Sequence, residues 1–114
     1  MRVICCGDRA WADVKKIRDR LSQLPSGTTV IEGDAPGADR IAGMIARGFG
    51  LNLEVHPAKW AEYGRAAGPI RNQEMLSSGV DLVLAFHSDL AKSKGTADMV
   101  RRTRKADISV EVIS

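Results

Sequence analysis

Gly33-Asp34-Ala35-Pro36-Gly37-Ala38-Asp39 is the stretch that decides the fold of this chain. It follows the β-branched run Thr28–Glu32, which is typical of a buried strand, and precedes Arg40–Gly50, where apolar residues recur at helical spacing. Its glycines permit a tight turn, and Pro36 suits the first turn of a helix because its missing N–H would have no partner there. The stretch predicts a strand, a turn and a helix whose free N–H groups and dipole form an anion site. A well-made turn and helix cap would satisfy the same pattern.

The same construction recurs along the chain. The sequence predicts strands at Val3–Cys6, Thr28–Glu32, Leu51–His56, Asp81–Phe86 and Ile108–Ile113, and helices at about Trp11–Leu24, Arg40–Gly50, Pro69–Ser78 and Gly95–Ala106. Asp81–Phe86 is the most apolar strand, so we expect it at the centre of the sheet. No periodicity is visible from Ala58 to Gly68, where we predict the longest loop. The alternation is typical of an α/β protein: a single Rossmann-like three-layer sandwich, residues 1–114, around a mainly parallel five-stranded sheet.

Composition and charge narrow the functional classes. The 114 residues are 44% hydrophobic and 27% charged, and no apolar run approaches the roughly 18 residues that a membrane span needs. Met1-Arg2 leads directly into the first strand without the apolar region of a signal peptide, which predicts a cytoplasmic location. The net charge of +3 favours anionic ligands without implying nucleic acid. An aromatic content of 4% makes a stacking platform for single strands thin.

The cysteines are expected to be core residues. Cys5 and Cys6 are adjacent on a predicted strand, so their side chains point to opposite faces and are poorly placed to pair. Together with His56 and His87 they show no metal-ligand spacing, and we predict neither a metal nor a cofactor. This usage is typical of a reducing compartment.

The polar loops of the chain are predicted to meet at one edge of the sheet. Parallel sheets bind ligands outside the carboxyl ends of their strands, near the point where strand order reverses. The loops expected at this edge are Gly7-Asp8-Arg9, Gly33–Asp39, Ala58–Gly68 and Lys92–Thr96. Glycines and charged residues concentrate in these loops, which the fold alone does not require.

The Lys94-Gly95-Thr96 segment has the chemical parts of a phosphate site. It offers a flexible glycine, a hydroxyl, backbone N–H groups at a helix start and a lysine. Neither G-x-x-x-x-G-K-[ST] nor G-x-G-x-x-G occurs in the chain. Arg9, Arg65 and Arg71 each present a guanidinium fork that fits a phosphate or carboxylate, although any one of them alone is also consistent with a solvated surface group.

Other loop residues leave two interpretations open. Trp60 and Tyr63 either stack on a base or cover the edge of the sheet. Asp8, Asp34 and Asp39 suit ribose hydroxyls or the polarisation of a water molecule, whereas Asp39 also complements the dipole of the helix it begins. The basic end of the last helix, Arg101–Lys105, is typical of a solvated cap, with a nucleic-acid patch as the alternative.

Four motifs, in this order, carry a resemblance to a known family. They are Gly7-Asp8-Arg9, Gly33–Asp39, the segment Trp60–Met75 (WAEYGRAAGPIRNQEM) and Lys94–Met99 (KGTADM). The chain resembles the YspA-type branch of the SLOG superfamily, Rossmann-like proteins related to DprA/Smf and to the lonely-guy cytokinin-activating enzymes. The resemblance implies a nucleotide-derived ligand whose phosphate lies at Gly95-Thr96 and whose base or sugar lies near Gly33–Asp39. It also implies that Arg71 and Asn72 face the ligand.

One departure from that pattern bears on catalysis. Lonely-guy enzymes carry P-G-G-x-G-T-x-x-E, and Met99 stands here where the catalytic glutamate would be. A thioether neither stabilises an oxocarbenium-like centre nor relays a proton, so this position favours binding over hydrolysis. Asp98 or a loop acid acting from another direction remains the alternative.

The sequence therefore predicts a protein that senses or sequesters a small nucleotide-derived molecule, such as an ADP-ribose or cyclic nucleotide signal, in defence or counter-defence. The alternatives are a hydrolase of N-glycosidic or phosphodiester bonds that uses Asp8, Asp34 or Asp39, and a single-strand nucleic-acid binder like DprA. We expect a homodimer or higher homo-oligomer, with neither nucleic acid nor membrane as its partner. The predicted ligand-binding residues are Gly7, Asp8, Arg9, Gly33, Asp34, Gly37, Ala38, Asp39, Trp60, Tyr63, Arg65, Gly68, Arg71, Asn72, Lys94, Gly95 and Thr96.

Overall fold

A five-stranded parallel sheet in the order β3-β2-β1-β4-β5 forms the middle layer of the protein. The structure is a computed structural model that describes residues 1–114. Its strands are β1 (Arg2–Gly7), β2 (Thr29–Glu32), β3 (Asn52–Val55), β4 (Leu82–Phe86) and β5 (Ser109–Ile113). Its helices are α1 (Val14–Leu21), α2 (Ala38–Gly48), α3 (Trp60–Tyr63), α4 (Ala67–Ser77) and α5 (Gly95–Lys105), with short 3₁₀ turns at Gly64–Ala66 and Leu90–Lys92. The predicted Rossmann-like three-layer fold is confirmed.

The alternation of side chains along β1 supplies both hydrophobic cores. Val3 and Cys5 pack under α1 and α2, whereas Ile4 and Cys6 pack under α4 and α5. Both cysteines are free and buried, as predicted from their adjacency. Because an interior parallel strand is covered on both faces, β1 and β4 are apolar at successive positions instead of every second one.

The central strand of the sheet is not the one that was predicted from the sequence. β1 lies in the middle of the sheet, and the more apolar β4 lies beside it, between β1 and β5. Apolar character reports burial on both faces, which β1 and β4 share, and so does not choose between two interior strands. The chain builds β2 and β3 on one side of β1 and then crosses to β4 and β5 on the other. The carboxyl ends of β1 and β4 therefore flank the point at which strand order reverses.

Helix boundaries depart from the sequence predictions near the functional edge. α1 is shorter than expected because the side chain of Asp13 caps it by accepting from the Lys16 N–H, at 3.1 Å. Pro36 precedes α2 instead of lying in its first turn, since the N-cap is Gly37 and the helix begins at Ala38.

The segment Ala58–Gly68, predicted as a loop, is largely helical. It contains α3, a 3₁₀ turn and the first residues of α4, and Gly64 ends α3 with a φ of 57°. A single helical turn is too short to produce a visible hydrophobic period, which explains why the prediction was wrong. None of the helices combines the length and the apolar character that a membrane crossing requires.

Gly37 provides the first test of this architecture. Its φ is 77°, and a Cβ there would meet the carbonyl oxygens of Asp8 and Arg9. We expect Gly37→Ala to lower the free energy of unfolding, on the order of 1–3 kcal/mol from backbone strain alone. Urea denaturation followed by circular dichroism measures the change.

Gly48→Ala is the matched control, because Gly48 also belongs to the α2 region but has open space around it and no positive φ. It should leave stability unchanged or raise it by up to about 1 kcal/mol. Equal stabilities of the two variants would contradict the close approach between the β1 loop and α2.

Candidate functional site

The largest cleft lies over the carboxyl ends of β1 and β4 and has a volume of about 890 Å³. This is the edge at which the strand order reverses, and the volume lies within the range typical of small-ligand sites. The predicted site residues that line it are Gly7, Asp8, Arg9, Asp39, Trp60, Arg65, Gly68, Arg71, Asn72, Lys94, Gly95 and Thr96.

A smaller cleft of about 350 Å³ adjoins the large one. Gly33 and Asp34 line the small cleft, and four residues line both clefts: Arg9, Ala35, Trp60 and Arg71. The structure thus places the Gly33–Asp34 turn and the Gly95–Thr96 helix start in adjoining cavities.

Three predicted site residues line neither cleft. Gly37 is partly buried at the N-cap of α2, and Ala38 is fully buried, its N–H donating to the Asp8 carbonyl oxygen at 3.1 Å. Tyr63 is exposed on α3, away from both cavities. Trp60 therefore lines the cleft without Tyr63, the second aromatic residue predicted for the site.

Several residues that line the two clefts were not among the predicted site residues. Ser93 precedes α5 and accepts from the N–H groups of Thr96 and Ala97, at 3.0 and 3.3 Å, which is a helix-capping pattern readable from sequence. His87 follows β4 directly, and the rule that ligands bind at carboxyl ends of strands would have included it. Arg40, Pro57 and Ala58 of the small cleft carry no comparable signal.

The start of α5 retains the features of an anion site. Ser93 occupies two of its N–H groups, but the Gly95 N–H and the Thr96 hydroxyl make no hydrogen bond within the chain. Lys94 stands beside them and is exposed, and Thr96 is buried against the cleft wall. A helix N-terminus of this kind attracts negative charge through its dipole and its open donors.

The Gly33–Asp39 turn is different from the predicted free anion site, because the protein supplies the anion itself. Oδ2 of Asp39 accepts from the N–H groups of Gly33 and Ala35, at 3.1 and 3.4 Å. Asp39 is buried, and desolvation raises its pKa to about 6 although Arg71 nearby opposes the shift. An external phosphate would find these donors already occupied.

A second buried acid supports the same turn. Glu32, at the end of β2, accepts from the Asp34 N–H at 2.9 Å. Desolvation raises the pKa of Glu32 to about 7, and the negative charge of Asp39 adds to the shift. Two carboxyl groups therefore lie behind this turn, which disfavours further negative charge in front of it.

Polar bonds across the cleft floor join the turn, α4 and α5. Nη1 of Arg71 donates to the Gly33 carbonyl oxygen at 2.6 Å, and its Nε donates to Oδ1 of Asn72 at 3.1 Å. Nδ2 of Asn72 in turn donates to Oδ2 of Asp98 at 3.0 Å. Arg101 and Arg102, on α5 itself, also donate to Asp98, so this carboxylate accepts from three side chains, and its bond to Asn72 links α5 to α4. Arg71 and Asn72 thus contact the cleft while fixing its shape.

Unpaired positive charge distinguishes the cleft rim. Arg9, Arg65 and Lys94 form no ion pair and donate no side-chain hydrogen bond within the chain. Trp60 is 50% exposed and rests against Gly68, where an added Cβ would lie 3.4 Å from its ring. The rim therefore offers guanidinium and ammonium groups next to an open aromatic surface.

The candidate catalytic acids do not form one cluster. Asp8 and Asp39 line the large cleft, and Asp34 lines the small one, where its Oδ1 lies 3.2 Å from Nε of Arg40. Met99, which the sequence motif aligns with the lonely-guy glutamate, lies on the buried face of α5, in the core between the sheet and α4. No group of three or more His, Cys, Asp or Glu side chains is arranged to hold a metal ion.

The fold and this site define a Rossmann-like parallel α/β domain with a cationic cleft at the carboxyl edge of its sheet. The chain belongs to the YspA, cpYpsA-related SLOG family, YAcAr, whose model matches residues 1–63. The resemblance drawn from the four sequence motifs is thereby confirmed.

Two similar proteins extend the comparison. The chain is 40% identical over 118 residues to the Gene 61 protein of Mycobacterium phage D29, an alignment that covers 96% of this chain and 93% of that protein. Its fold is similar to the X-ray structure of DNA processing protein A (DprA) from Streptococcus pneumoniae, with a TM-score of 0.77 and 16% sequence identity. That likeness covers 99% of this chain and 50% of the DprA chain, so the chain spans half of DprA's length.

The buried acid behind the turn predicts a pH dependence. The pKa of Glu32 rises from 4.5 to about 7 on folding, so its contribution to stability is complete below pH 4.5 and is lost as the pH rises through 7. Glu32→Gln keeps an oxygen for the Asp34 N–H but does not ionise. We expect this variant to exceed the parent in unfolding free energy at pH 8, by about 1–2 kcal/mol, and to match it at pH 4.

Thermal and urea unfolding at both pH values measures the difference. Glu62→Gln on the exposed surface of α3 is the matched control and should change stability at neither pH. A Glu32→Gln effect that is the same at pH 4 and pH 8 would contradict the ionisation argument.

Proposed function

We propose that the protein binds a small nucleotide-derived molecule in the large cleft and holds it without cleaving it. The observation that carries this proposal is that three features occur in one cleft. Anion-binding groups at the start of α5 have no partner within the chain, the arginines on the rim form no ion pair, and the Trp60 indole presents an open face. A phosphate would contact the Gly95 N–H, the Thr96 hydroxyl and Lys94, and a base would stack on Trp60. Membership of the SLOG family agrees with a ligand of this class.

Two observations favour binding over turnover. Met99, which stands where lonely-guy enzymes have their catalytic glutamate, carries a thioether that has no acidic proton, and its side chain is buried in the core away from the cleft. Asp39 and Asp98 line the cleft but are engaged in hydrogen bonds to the protein. Asp8 remains the acid that a hydrolytic alternative would use, since its Oδ1 accepts only from the Ala10 N–H, at 2.9 Å.

The phage relative supports a biological setting for this binding. A cytoplasmic protein that captures a nucleotide signal suits counter-defence by a virus, and the similar Gene 61 protein belongs to a mycobacteriophage. Exposed apolar side chains outside the cleft, among them Met44 and Phe49, leave surface for self-association, and we propose a homo-oligomer.

The first test is a ligand panel of AMP, ADP-ribose, NAD, cyclic ADP-ribose isomers and cyclic dinucleotides. Each compound is mixed with purified protein and followed by chromatography before and after heat denaturation. We expect at least one compound to leave solution and to return intact. Return as fragments would establish an enzyme and direct attention to Asp8.

Binding of none of these compounds would contradict the proposal. Single-stranded DNA is the comparison ligand, since the fold likeness to DprA keeps nucleic acid as the alternative. Affinity for DNA that falls steeply with salt and is independent of Thr96 would support that alternative.

The α5 contribution is tested by Thr96→Val, which removes the hydroxyl and keeps the side-chain volume. A hydrogen bond to a charged group is worth about 1.5–3 kcal/mol, so the dissociation constant of the panel ligand should rise about 10- to 100-fold. Isothermal titration calorimetry measures it.

Thr103→Val is the matched control on the same helix. Its hydroxyl donates to the Met99 carbonyl oxygen in the core, away from the cleft. This variant should bind like the parent even if it is less stable. Equal affinity of the Thr96→Val protein and the parent would place the phosphate elsewhere.

A further inference from the structure

We infer that Asp8 and His87 form an acceptor–donor pair at the base of the large cleft, which binds a hydroxyl group of the ligand's ribose. This inference rests on the proposed function and deepens it, because it assigns the ligand to the ribonucleotides and against the deoxyribonucleotides. The pair lies apart from the Gly33–Asp39 turn, where the side chain of Asp39 already occupies the N–H groups.

Asp8 and His87 are neighbours at the point where strand order reverses. Gly7 pairs with Phe86 in the register of β1 and β4, and each of the two residues comes one position later. The Asp8 N–H continues this ladder by donating to the Phe86 carbonyl oxygen at 2.9 Å. Adjacent strands lie about 4.8 Å apart, so side chains at neighbouring positions reach the same ligand group. Both residues are half-buried, and both line the large cleft.

One hydrogen bond fixes the His87 imidazole as a donor. Its Nδ1 accepts from the Asp89 N–H at 3.0 Å, so Nδ1 carries no proton and the ring proton lies on Nε2. Nε2 makes no hydrogen bond within the chain, whereas every buried polar side-chain atom has a partner. The Nε2–H group is therefore accessible and free to donate to a ligand in the cleft that His87 lines.

Asp8 supplies the complementary acceptor. Its Oδ1 accepts from the Ala10 N–H at 2.9 Å, which orients the carboxylate, and its Oδ2 has no partner. Asp8 forms no ion pair, and no hydrogen bond joins its side chain to that of His87. The two neighbouring side chains thus leave one acceptor and one donor for a third group.

A hydroxyl group matches this pair, because its single oxygen atom donates one hydrogen bond and accepts another. A phosphate does not match, since the negative charge of the Asp8 carboxylate would repel it. In the proposed function, the start of α5 binds the phosphate and Trp60 stacks on the base, and both line the same cleft as the pair. The ribose is the part of the nucleotide that remains for Asp8 and His87.

The test compares three probes, AMP, 2′-deoxy-AMP and 3′-deoxy-AMP, on the whole protein by isothermal titration calorimetry. We expect at least one deoxy analogue to bind about tenfold more weakly than AMP, because the missing hydroxyl leaves a carboxylate and an imidazole N–H without their partner. A site that contacts only the phosphate and the base would bind all three nucleotides equally.

Two variants of His87 separate the Nε2 donor from the support that Nδ1 gives to the loop. His87→Asn places an amide oxygen where Nδ1 accepts from the Asp89 N–H, but it has no group at the position of Nε2. It should bind AMP about tenfold more weakly and lose the preference over the deoxy analogue. His87→Gln carries an amide N–H to the position of Nε2 and should restore most of the affinity and the preference.

Asp8→Asn tests the acceptor, since it keeps an oxygen for the Ala10 N–H and replaces the free carboxylate oxygen with an N–H donor. It should also remove the preference for AMP. His56→Asn is the matched control, because His56 lines neither cleft, and it should keep both the affinity and the preference.

Equal binding of the three nucleotides by the parent would overturn the acceptor–donor pair and leave the proposed function intact. A preference that survives both His87→Asn and Asp8→Asn would do the same. Absence of AMP binding would also overturn the pair, and the proposed function would then be decided by the other compounds of the ligand panel. Binding of no compound in that panel would overturn both.

Discussion

The backbone of Asp8 joins the parts of the molecule that form the cleft. Its N–H donates to the Phe86 carbonyl oxygen at 2.9 Å, and its carbonyl oxygen accepts from the Ala38 N–H at 3.1 Å. One residue therefore ties the end of β1 to the end of β4 and to the start of α2. This contact requires the absence of side chains at Gly7 and Gly37, where a Cβ would collide with the neighbouring backbone. Without that approach, the backbone of Asp8 would not bond both the end of β4 and the start of α2.

The distribution of charge around this junction separates two kinds of surface. Beneath the Gly33–Asp39 turn, the carboxyl groups of Glu32 and Asp39 are buried and satisfy the backbone of the turn. At the start of α5, the Gly95 N–H and the Thr96 hydroxyl make no hydrogen bond within the chain, and the nearby Lys94 is unpaired. On one side of the cleft, carboxyl groups of the protein thus supply the negative charge. On the other side, the open donors can accept the negative charge of a ligand. The two helix starts, similar in sequence pattern, have opposite electrostatic roles.

Local sequence patterns predict much of the fold and the edge of the sheet at which the cleft lies. The β-branched runs, the glycine-containing turns and the spacing of apolar residues define the order of strands and helices, and that order implies a parallel sheet with a ligand edge. The order of elements alone therefore predicts that the loops at that edge are neighbours. The prediction failed for α3 because a helix of one turn is too short to show a hydrophobic period. It also failed at the start of α2, because a long-range hydrogen bond from the Ala38 N–H to the Asp8 carbonyl oxygen sets that boundary.

The sequence by itself determined the fold class, the family and the loops that surround the cleft, because these depend on periodicity, turn residues and motif order. Only the tertiary structure decided which donors remain free, since that depends on side chains folding back from elsewhere in the chain. Asp39 returns to its own turn, Ser93 caps α5, and Arg71 reaches the Gly33 carbonyl oxygen from α4. Such contacts depend on distances of a few ångströms between distant residues, which local sequence patterns do not encode.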